Sequence, residues 1–141
     1  MANNGILVDA GPLVALLNRR DQHHAICVSA SRTLRGPFYT CWPVITEAAY
    51  LLRENAVAVK KLLGRIRLGK IGVLQLLPED MEGVAAILDK YSDQKLDFAD
   101  AALMHLAERE SIASIFTVDQ RHFSLFRTIQ GNSLTIVPAR Q

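Results

Sequence analysis

The hydrophobic positions of this chain fall into two kinds of segment, short continuous apolar runs and longer stretches with helical spacing. The short runs predict buried strands at 5–9, 38–41, 73–76, 114–118 and 134–137. The longer stretches predict helices near 12–18, 21–34, 43–52, 56–69, 79–90 and 97–108. Strands that alternate with helices indicate an α/β fold, a doubly wound and mostly parallel sheet with helices on both faces.

The length and composition predict one ordinary domain over residues 1–141, with the polar residues 1–4 frayed. Cys27 and Cys41 stand alone, and no positively charged leader precedes an apolar run, which predicts a protein of the reducing cytoplasm. Charge, Gly or Pro interrupts every apolar run well before the roughly 18 residues that a membrane span needs. We therefore expect no membrane partner.

Charge is unevenly distributed, although the net charge is only +2. Residues 53–70 hold six basic and one acidic residue, and residues 79–110 hold nine acidic and three basic residues. A basic stretch together with an acidic pocket suits a metal-dependent enzyme that acts on a polyanion. The alternative, that these charges are the solvated faces of amphipathic helices, stays open.

Four acids share one local setting, in which a predicted strand ends or a predicted helix begins. They are Asp9, Glu47, Asp100 and Asp119. The carboxyl ends of strands in an open α/β sheet are where ligands bind. Four carboxylates that converge there would repel one another unless a cation lay between them, and hard divalent cations prefer oxygen ligands. The pattern therefore predicts a Mg²⁺ or Mn²⁺ site.

Each acid also has an ordinary structural interpretation. Asp9 suits a helix N-cap, Glu47 a first-turn acid and Asp119 a turn after a strand. Asp97 and Asp100 have the spacing of a capping box, which would leave Asp100 directed toward the strand ends. The prediction of a metal site depends on the coincidence of all four acids.

These motifs together resemble a known family. Asp9, Glu47, the run Asp97-Phe-Ala-Asp100-Ala and the run Thr117-Val-Asp119 followed by Phe123 are similar to a PIN domain, in particular to VapC-like toxins of type II toxin–antitoxin systems. The resemblance implies a PIN-like three-layer α/β/α fold and a Mg²⁺- or Mn²⁺-dependent endoribonuclease. It also implies a homodimer that is neutralised by a small antitoxin protein.

The resemblance assigns roles to single residues as well. It makes Asp9, Glu47, Asp100 and Asp119 the catalytic and metal-binding acids, with Asp97 and Thr117 in support. Arg121 and Arg127 flank this set, and we predict that they contact RNA phosphates. Two alternatives remain at this point, a housekeeping RNA-processing nuclease and a catalytically idle binding module.

Three further residues are left outside the predicted site. His122 lies just past Asp119, where a substrate contact is one interpretation, but we do not include it in the predicted site. Trp42 and Tyr50 are predicted to lie in the core instead of serving as stacking platforms for bases.

Overall fold

A parallel sheet forms the centre of the computed structural model, which describes residues 3–139. Within this range there are five strands, β1 (Asn3–Val8), β2 (Phe38–Thr40), β3 (Gly72–Val73), β4 (Ile112–Phe116) and β5 (Thr135–Val137). Their order is β3-β2-β1-β4-β5 and every neighbouring pair is parallel. The doubly wound sheet is confirmed, and it is parallel throughout.

Helices connect the strands and cover the sheet. Residues 3–139 form α1 (Ala10–Leu17), α2 (His24–Thr33), α3 (Trp42–Leu51), α4 (Ala56–Arg67), α5 (Met81–Lys90), α6 (Phe98–Glu110) and α7 (Gln120–Leu125). Helix α1 packs against α2, α3 and α4, and α6 packs against α5, α7 and α3. Because the chain reverses direction across the sheet between β3 and β4, right-handed crossovers place the helices that precede β3 and those that follow it on opposite faces.

The element boundaries differ from the predicted ones in two informative places. Strand β1 begins at Asn3, whose backbone N–H donates to the Ser111 carbonyl (3.2 Å), so Asn3 and Asn4 belong to the sheet instead of a frayed end. Residues 1–2 of that prediction lie outside the described range. Helix α3 begins at Trp42, which puts Glu47 in its second turn and removes the interpretation as a first-turn acid.

The core prediction for two aromatic residues is wrong. Trp42 is 49% exposed and Tyr50 is 61% exposed. The buried stripe of α3 consists of Val44, Ile45 and Ala48, which pack toward the sheet. One helix face of small and β-branched residues already meets the core, so the two large rings lie outside that stripe.

Helix α7 is a short element that the sequence analysis missed. It is six residues long and is held by Phe123, which is fully buried. Burial of one phenylalanine side chain contributes about 2–3 kcal/mol, enough to fix a helix that would be marginal in isolation. None of the helices between residues 3 and 139 combines the length and the apolar character required to cross a bilayer.

Candidate metal and active site

The acids lie at the point where the sheet changes winding direction. Strand β1 is flanked by β2, which follows it in sequence, and by β4, which is added much later. Asp9 comes directly after β1, and Thr117 comes directly after β4. The crevice at the carboxyl ends of such a strand pair is where α/β sheets bind ligands. The fold therefore creates a binding edge between these two strands.

A glycine allows the two strand ends to approach closely. Gly11 lies in the first turn of α1, and a Cβ atom there would meet Val118 Cγ2 at 2.5 Å. Because Val118 stands between Thr117 and Asp119, the missing side chain lets α1 begin directly against the loop that carries both residues.

Thr117 joins two of the predicted acids. Its hydroxyl donates to Asp9 Oδ2 (2.7 Å) and accepts from the backbone N–H of Asp119 (2.9 Å). The other carboxylate oxygen of Asp9, Oδ1, accepts from the N–H of Ala10 at 2.8 Å. Asp9 is thus a helix N-cap and a member of the cluster, so its two interpretations are compatible. Thr117 is fully buried and Asp9 is 6% exposed, so water does not screen this contact well.

Asp97 and Asp100 form the predicted capping box at the start of α6. Asp97 Oδ1 accepts from the Asp100 N–H at 2.8 Å, and Asp100 Oδ2 faces the Asp97 N–H at 3.4 Å. Asp97 is exposed, whereas Asp100 is buried. The cap therefore fixes the first turn of α6 and brings the Asp100 carboxylate into the pocket.

Asp119 caps the missed helix α7, and His122 joins it there. Asp119 Oδ1 accepts from the His122 N–H at 3.3 Å, and His122 Nδ1 lies 2.9 Å from Asp119 Oδ2. The same nitrogen is 3.7 Å from Asp100 Oδ2. One ligand atom from each of the three side chains lies within 4.8 Å of the others. In the sequence, the only sign of this contact is that His122 follows Asp119 by three residues. That spacing brings two side chains together only in a helix, and α7 was not predicted.

The crowding of carboxylates changes their protonation. Burial raises the pKa of Asp100 to about 7, with further contributions from the charges of Asp97, Asp9 and Asp119. Burial also raises the pKa of Asp9, against the lowering effect of the hydrogen bonds from Thr117 and Ala10. Glu47, half-buried on α3, has its pKa raised by burial first and then by the charges of Asp97, Asp9 and Asp119.

These pKa directions describe carboxylates that burial and mutual repulsion destabilise. Each raised pKa means that the ionised carboxylate is less stable here than in water, which a bound divalent cation would reverse. The carboxylate oxygens of this site suit Mg²⁺ or Mn²⁺ chemically. The residues present therefore fit such an ion.

The two arginines predicted to contact substrate occupy different places. Arg121 is exposed in the first turn of α7, two residues after Asp119. Arg127 lies beyond the other end of α7, where its Nη1 donates to the carbonyls of Ser124 (2.7 Å) and Phe126 (2.8 Å). Of the two, Arg121 is the one beside the acids.

The basic stretch of residues 53–70 extends away from the acids. Helix α4 carries Arg65 and Arg67 in its last turn and is followed by the start of β3. Because β3 is parallel to β2 and β1, its start lies at the sheet edge opposite the one that Asp9 occupies. A phosphate chain bound at the acids would therefore not run along the last turn of α4.

A parallel α/β sheet with acids at the carboxyl ends of its strands defines the class of this protein as an α/β domain with a binding edge, and comparison with known proteins gives its family. The PIN domain family model matches residues 6–128. Ribonuclease VapC26 of Mycobacterium tuberculosis is 31% identical, over 94% of this chain and 100% of that protein. The chain therefore belongs to the PIN domain family, among its VapC-like members, as the sequence resemblance predicts.

A solved structure gives the same fold. The crystal structure of Mycobacterium tuberculosis VapC20, a sarcin-ricin loop cleaving toxin, superposes with a TM-score of 0.75. That comparison covers 84% of this chain and 92% of VapC20 at 20% sequence identity. The predicted PIN-like α/β architecture is confirmed.

Proposed function

We propose that this protein is a Mg²⁺- or Mn²⁺-dependent endoribonuclease and the toxin of a toxin–antitoxin pair. The observation that carries the proposal is the meeting of Asp9, Asp100 and Asp119 at the β1–β4 edge, with the pKa of both Asp9 and Asp100 raised by burial. A pocket that gathers acids and disfavours their charge is suited to a divalent cation.

Some residues of the site would bind the ion, and others position the acids that bind it. Asp9 and Asp100, the two buried acids, would hold the ion, and Asp119 and Glu47 would complete its surroundings. A bound ion of this kind polarises a phosphodiester oxygen and lowers the pKa of a water molecule. Thr117 fixes the Asp9 carboxylate through its 2.7 Å hydrogen bond. Asp97 holds the first turn of α6, so that Asp100 keeps its direction.

The substrate and partners are proposed from the relative with the higher identity. VapC26 is named a ribonuclease, and the match covers the whole of VapC26 and 94% of this chain. This supports RNA as the substrate. By the same relation we propose a small antitoxin protein as partner and the cytoplasm as the place of action.

A homodimer has independent support from the surface. Tyr50 and Leu51 of α3 and Val57 and Leu63 of α4 are each at least half exposed. Several large exposed apolar residues on two successive helices are typical of an interface.

The alternatives fit the chain less well. An idle binding module would be expected to lack one or more of the acids, and the pocket retains them all. A housekeeping nuclease would share the pocket but would not arrest growth.

Cleavage of RNA by purified protein tests the enzymatic part of the proposal. We expect cleavage with Mg²⁺ or Mn²⁺, none in excess EDTA, and none with Asp9→Asn or Asp100→Asn. The matched control is Asp80→Asn, because Asp80 is also a buried acid but pairs with His105 and Arg109 on another part of α6. Undiminished cleavage in EDTA or by either pocket variant would refute a metal-dependent nuclease.

Expression in cells tests the toxin part. Induction of the wild type should arrest growth, Asp100→Asn should not, and co-expression of an adjacent antitoxin gene should restore growth. Harmless expression of an active nuclease would leave the housekeeping alternative.

A further inference from the structure

We propose that His122 is a ligand of the divalent ion and binds it through Nδ1, beside Asp100 and Asp119. The inference rests on the proposed metal-dependent function and assigns a nitrogen donor to a site that the sequence predicts to be formed by acids alone. It would shift the metal preference of this pocket from Mg²⁺ toward ions that accept imidazole.

The contact of the other ring nitrogen of His122, Nε2, determines which nitrogen holds the hydrogen. His122 Nε2 lies 3.0 Å from the backbone carbonyl of Gln94. A carbonyl oxygen only accepts, so Nε2 must hold the hydrogen and donate it. A histidine whose second N–H donates to a backbone carbonyl is oriented as metal-ligating histidines are, with its remaining nitrogen directed at the ion.

The atoms nearest to His122 Nδ1 are carboxylate oxygens. This nitrogen lies 2.9 Å from Asp119 Oδ2 and 3.7 Å from Asp100 Oδ2. Ionised carboxylates only accept hydrogen bonds, so a bare lone pair on Nδ1 would face two other acceptors. A proton on Nδ1, a proton on one of the carboxylates or a metal ion must therefore lie among these three atoms, and a metal ion satisfies all three at once.

The spacing of these atoms suits an ion. Neighbouring ligands of an octahedral ion at about 2.1 Å are separated by about 3 Å. The Nδ1 contact with Asp119 (2.9 Å) matches that separation, and the contact with Asp100 (3.7 Å) is longer. Each carboxylate also accepts from a backbone N–H at a helix start, Asp100 Oδ2 from Asp97 at 3.4 Å and Asp119 Oδ1 from His122 at 3.3 Å. The three donors therefore need little rearrangement to enclose an ion.

A purely structural role would have a different signature. His122 is the third residue of α7, and its backbone N–H already bonds the capping Asp119. If the ring served only to hold Asp119 in place, an asparagine with its amide nitrogen near the position of Nδ1 would replace it. Ligation by nitrogen would be lost in that variant, because an amide nitrogen has no available lone pair.

Pulsed electron paramagnetic resonance of bound Mn²⁺ distinguishes the two roles, since it detects hyperfine coupling to a directly coordinated ¹⁴N nucleus. We would compare wild type, His122→Asn and the reciprocal variant His23→Gln/His24→Gln/His105→Gln, which retains His122 alone among the four histidines. His105 makes a 2.8 Å contact with Asp80 that resembles the His122 pair but lies away from the pocket. Mn²⁺ affinity is measured on the same samples.

We expect ¹⁴N coupling in wild type and in the reciprocal variant, and its loss in His122→Asn together with a fall in Mn²⁺ affinity of about 10- to 100-fold. Mn²⁺ bound without ¹⁴N coupling in wild type, or coupling that persists in His122→Asn, would overturn the inference while leaving the nuclease proposal intact. Failure of the wild type to bind Mn²⁺ at all would overturn both. Even if a variant does not fold, the absence of ¹⁴N coupling in the wild-type spectrum overturns the inference.

Discussion

The Thr117 hydroxyl donates a 2.7 Å hydrogen bond to Asp9 Oδ2 across a separation of 108 residues in the sequence. The Thr117 hydroxyl oxygen also accepts a hydrogen bond from the Asp119 backbone N–H. One buried hydroxyl therefore fixes acids that follow two different strands. Three-way contacts of this kind bind β1, β4 and α7 into one rigid edge.

Replacing Thr117 should therefore affect both stability and activity. Thr117→Val keeps the shape but removes the donor to Asp9 and the acceptor for Asp119, which should lower the free energy of unfolding by about 1–3 kcal/mol and reduce RNA cleavage. Thr117→Ser should restore both. Urea denaturation and a cleavage assay measure the two effects.

A second threonine provides the control. Thr40 is also fully buried, and its hydroxyl donates to the Val8 carbonyl at 2.8 Å without touching an acid. Thr40→Val should lose stability to a similar degree and keep its cleavage rate per folded molecule. Equal loss of cleavage in both valine variants would mean that Thr117 acts only through stability.

The sequence predicted the layout of the sheet and the start of α6 because both depend on local patterns. Apolar runs locate parallel strands, and the spacing of Asp97 and Asp100 specifies a capping box that the structure confirms. His122 was missed because its role depends on α7, a helix whose stability comes from the burial of Phe123 instead of its own periodicity. The exposure of Trp42 was missed because residue type does not show which side of α3 meets the sheet.

Neutralising Asp100 should stabilise the metal-free protein in a pH-dependent way. Its pKa is about 7 when folded, above the ordinary value of 3.8, so the wild type loses stability as the pH rises from about 4 to about 7 and no further above that. Asp100→Asn should melt at higher temperature than wild type at pH 8, with the difference shrinking toward pH 4. Mg²⁺ should raise the melting temperature of wild type more than that of the variant.

The control for this measurement is Asp89→Asn, which removes an equal charge from an exposed position on α5. Its melting temperature should follow that of wild type at both pH values. A gain in Asp89→Asn as large as that in Asp100→Asn would indicate a general charge effect instead of local repulsion.

Asp80, unlike Asp100, should stabilise the folded protein when it is ionised and lose that effect in acid. Its carboxylate accepts from His105 (2.8 Å), the Leu77 N–H (2.8 Å) and Arg109 (2.9 Å), and these partners, His105 first, lower its pKa to about 2. The stabilisation is complete above about pH 4 and is lost as the pH falls to about 2. Asp80→Asn should be less stable than wild type at pH 6, with the difference vanishing near pH 2.

Urea midpoints at pH 6, 4 and 2 measure this convergence. Glu79→Gln serves as control, since it removes an exposed acid beside Asp80. A stability difference between wild type and Asp80→Asn that stays constant down to pH 2 would contradict the lowered pKa.

Trp42 should contact RNA. It is the first residue of α3, two residues after the end of β2, so it stands at the same sheet edge as Asp9, and it is 49% exposed. Stacking of a base on an aromatic ring contributes about 1–3 kcal/mol, which Trp42→Ala should remove from RNA binding. Affinity is measured in an Asp9→Asn background to prevent cleavage, and quenching of Trp42, the single tryptophan in the chain, gives an independent signal.

Tyr50 is the matched control, because it is 61% exposed on the same helix, two turns further on, with the Arg53 guanidinium 4.0 Å from its ring centre. Tyr50→Ala should bind RNA as wild type does. An equal loss in both variants, or none in Trp42→Ala, would place the RNA elsewhere.

The source of the oxygen added to the cleaved phosphate tests the role of the acid pocket most directly. Acids that hold a divalent ion make water the nucleophile, whereas a pocket without that chemistry leaves the RNA 2′-hydroxyl to attack its own phosphate. Single-turnover cleavage in H₂¹⁸O with Mn²⁺, followed by mass spectrometry of the product ends, separates the two. We predict one ¹⁸O atom in a terminal monophosphate and no product with Asp100→Asn, whereas a 2′,3′-cyclic phosphate formed without ¹⁸O would contradict the proposed mechanism.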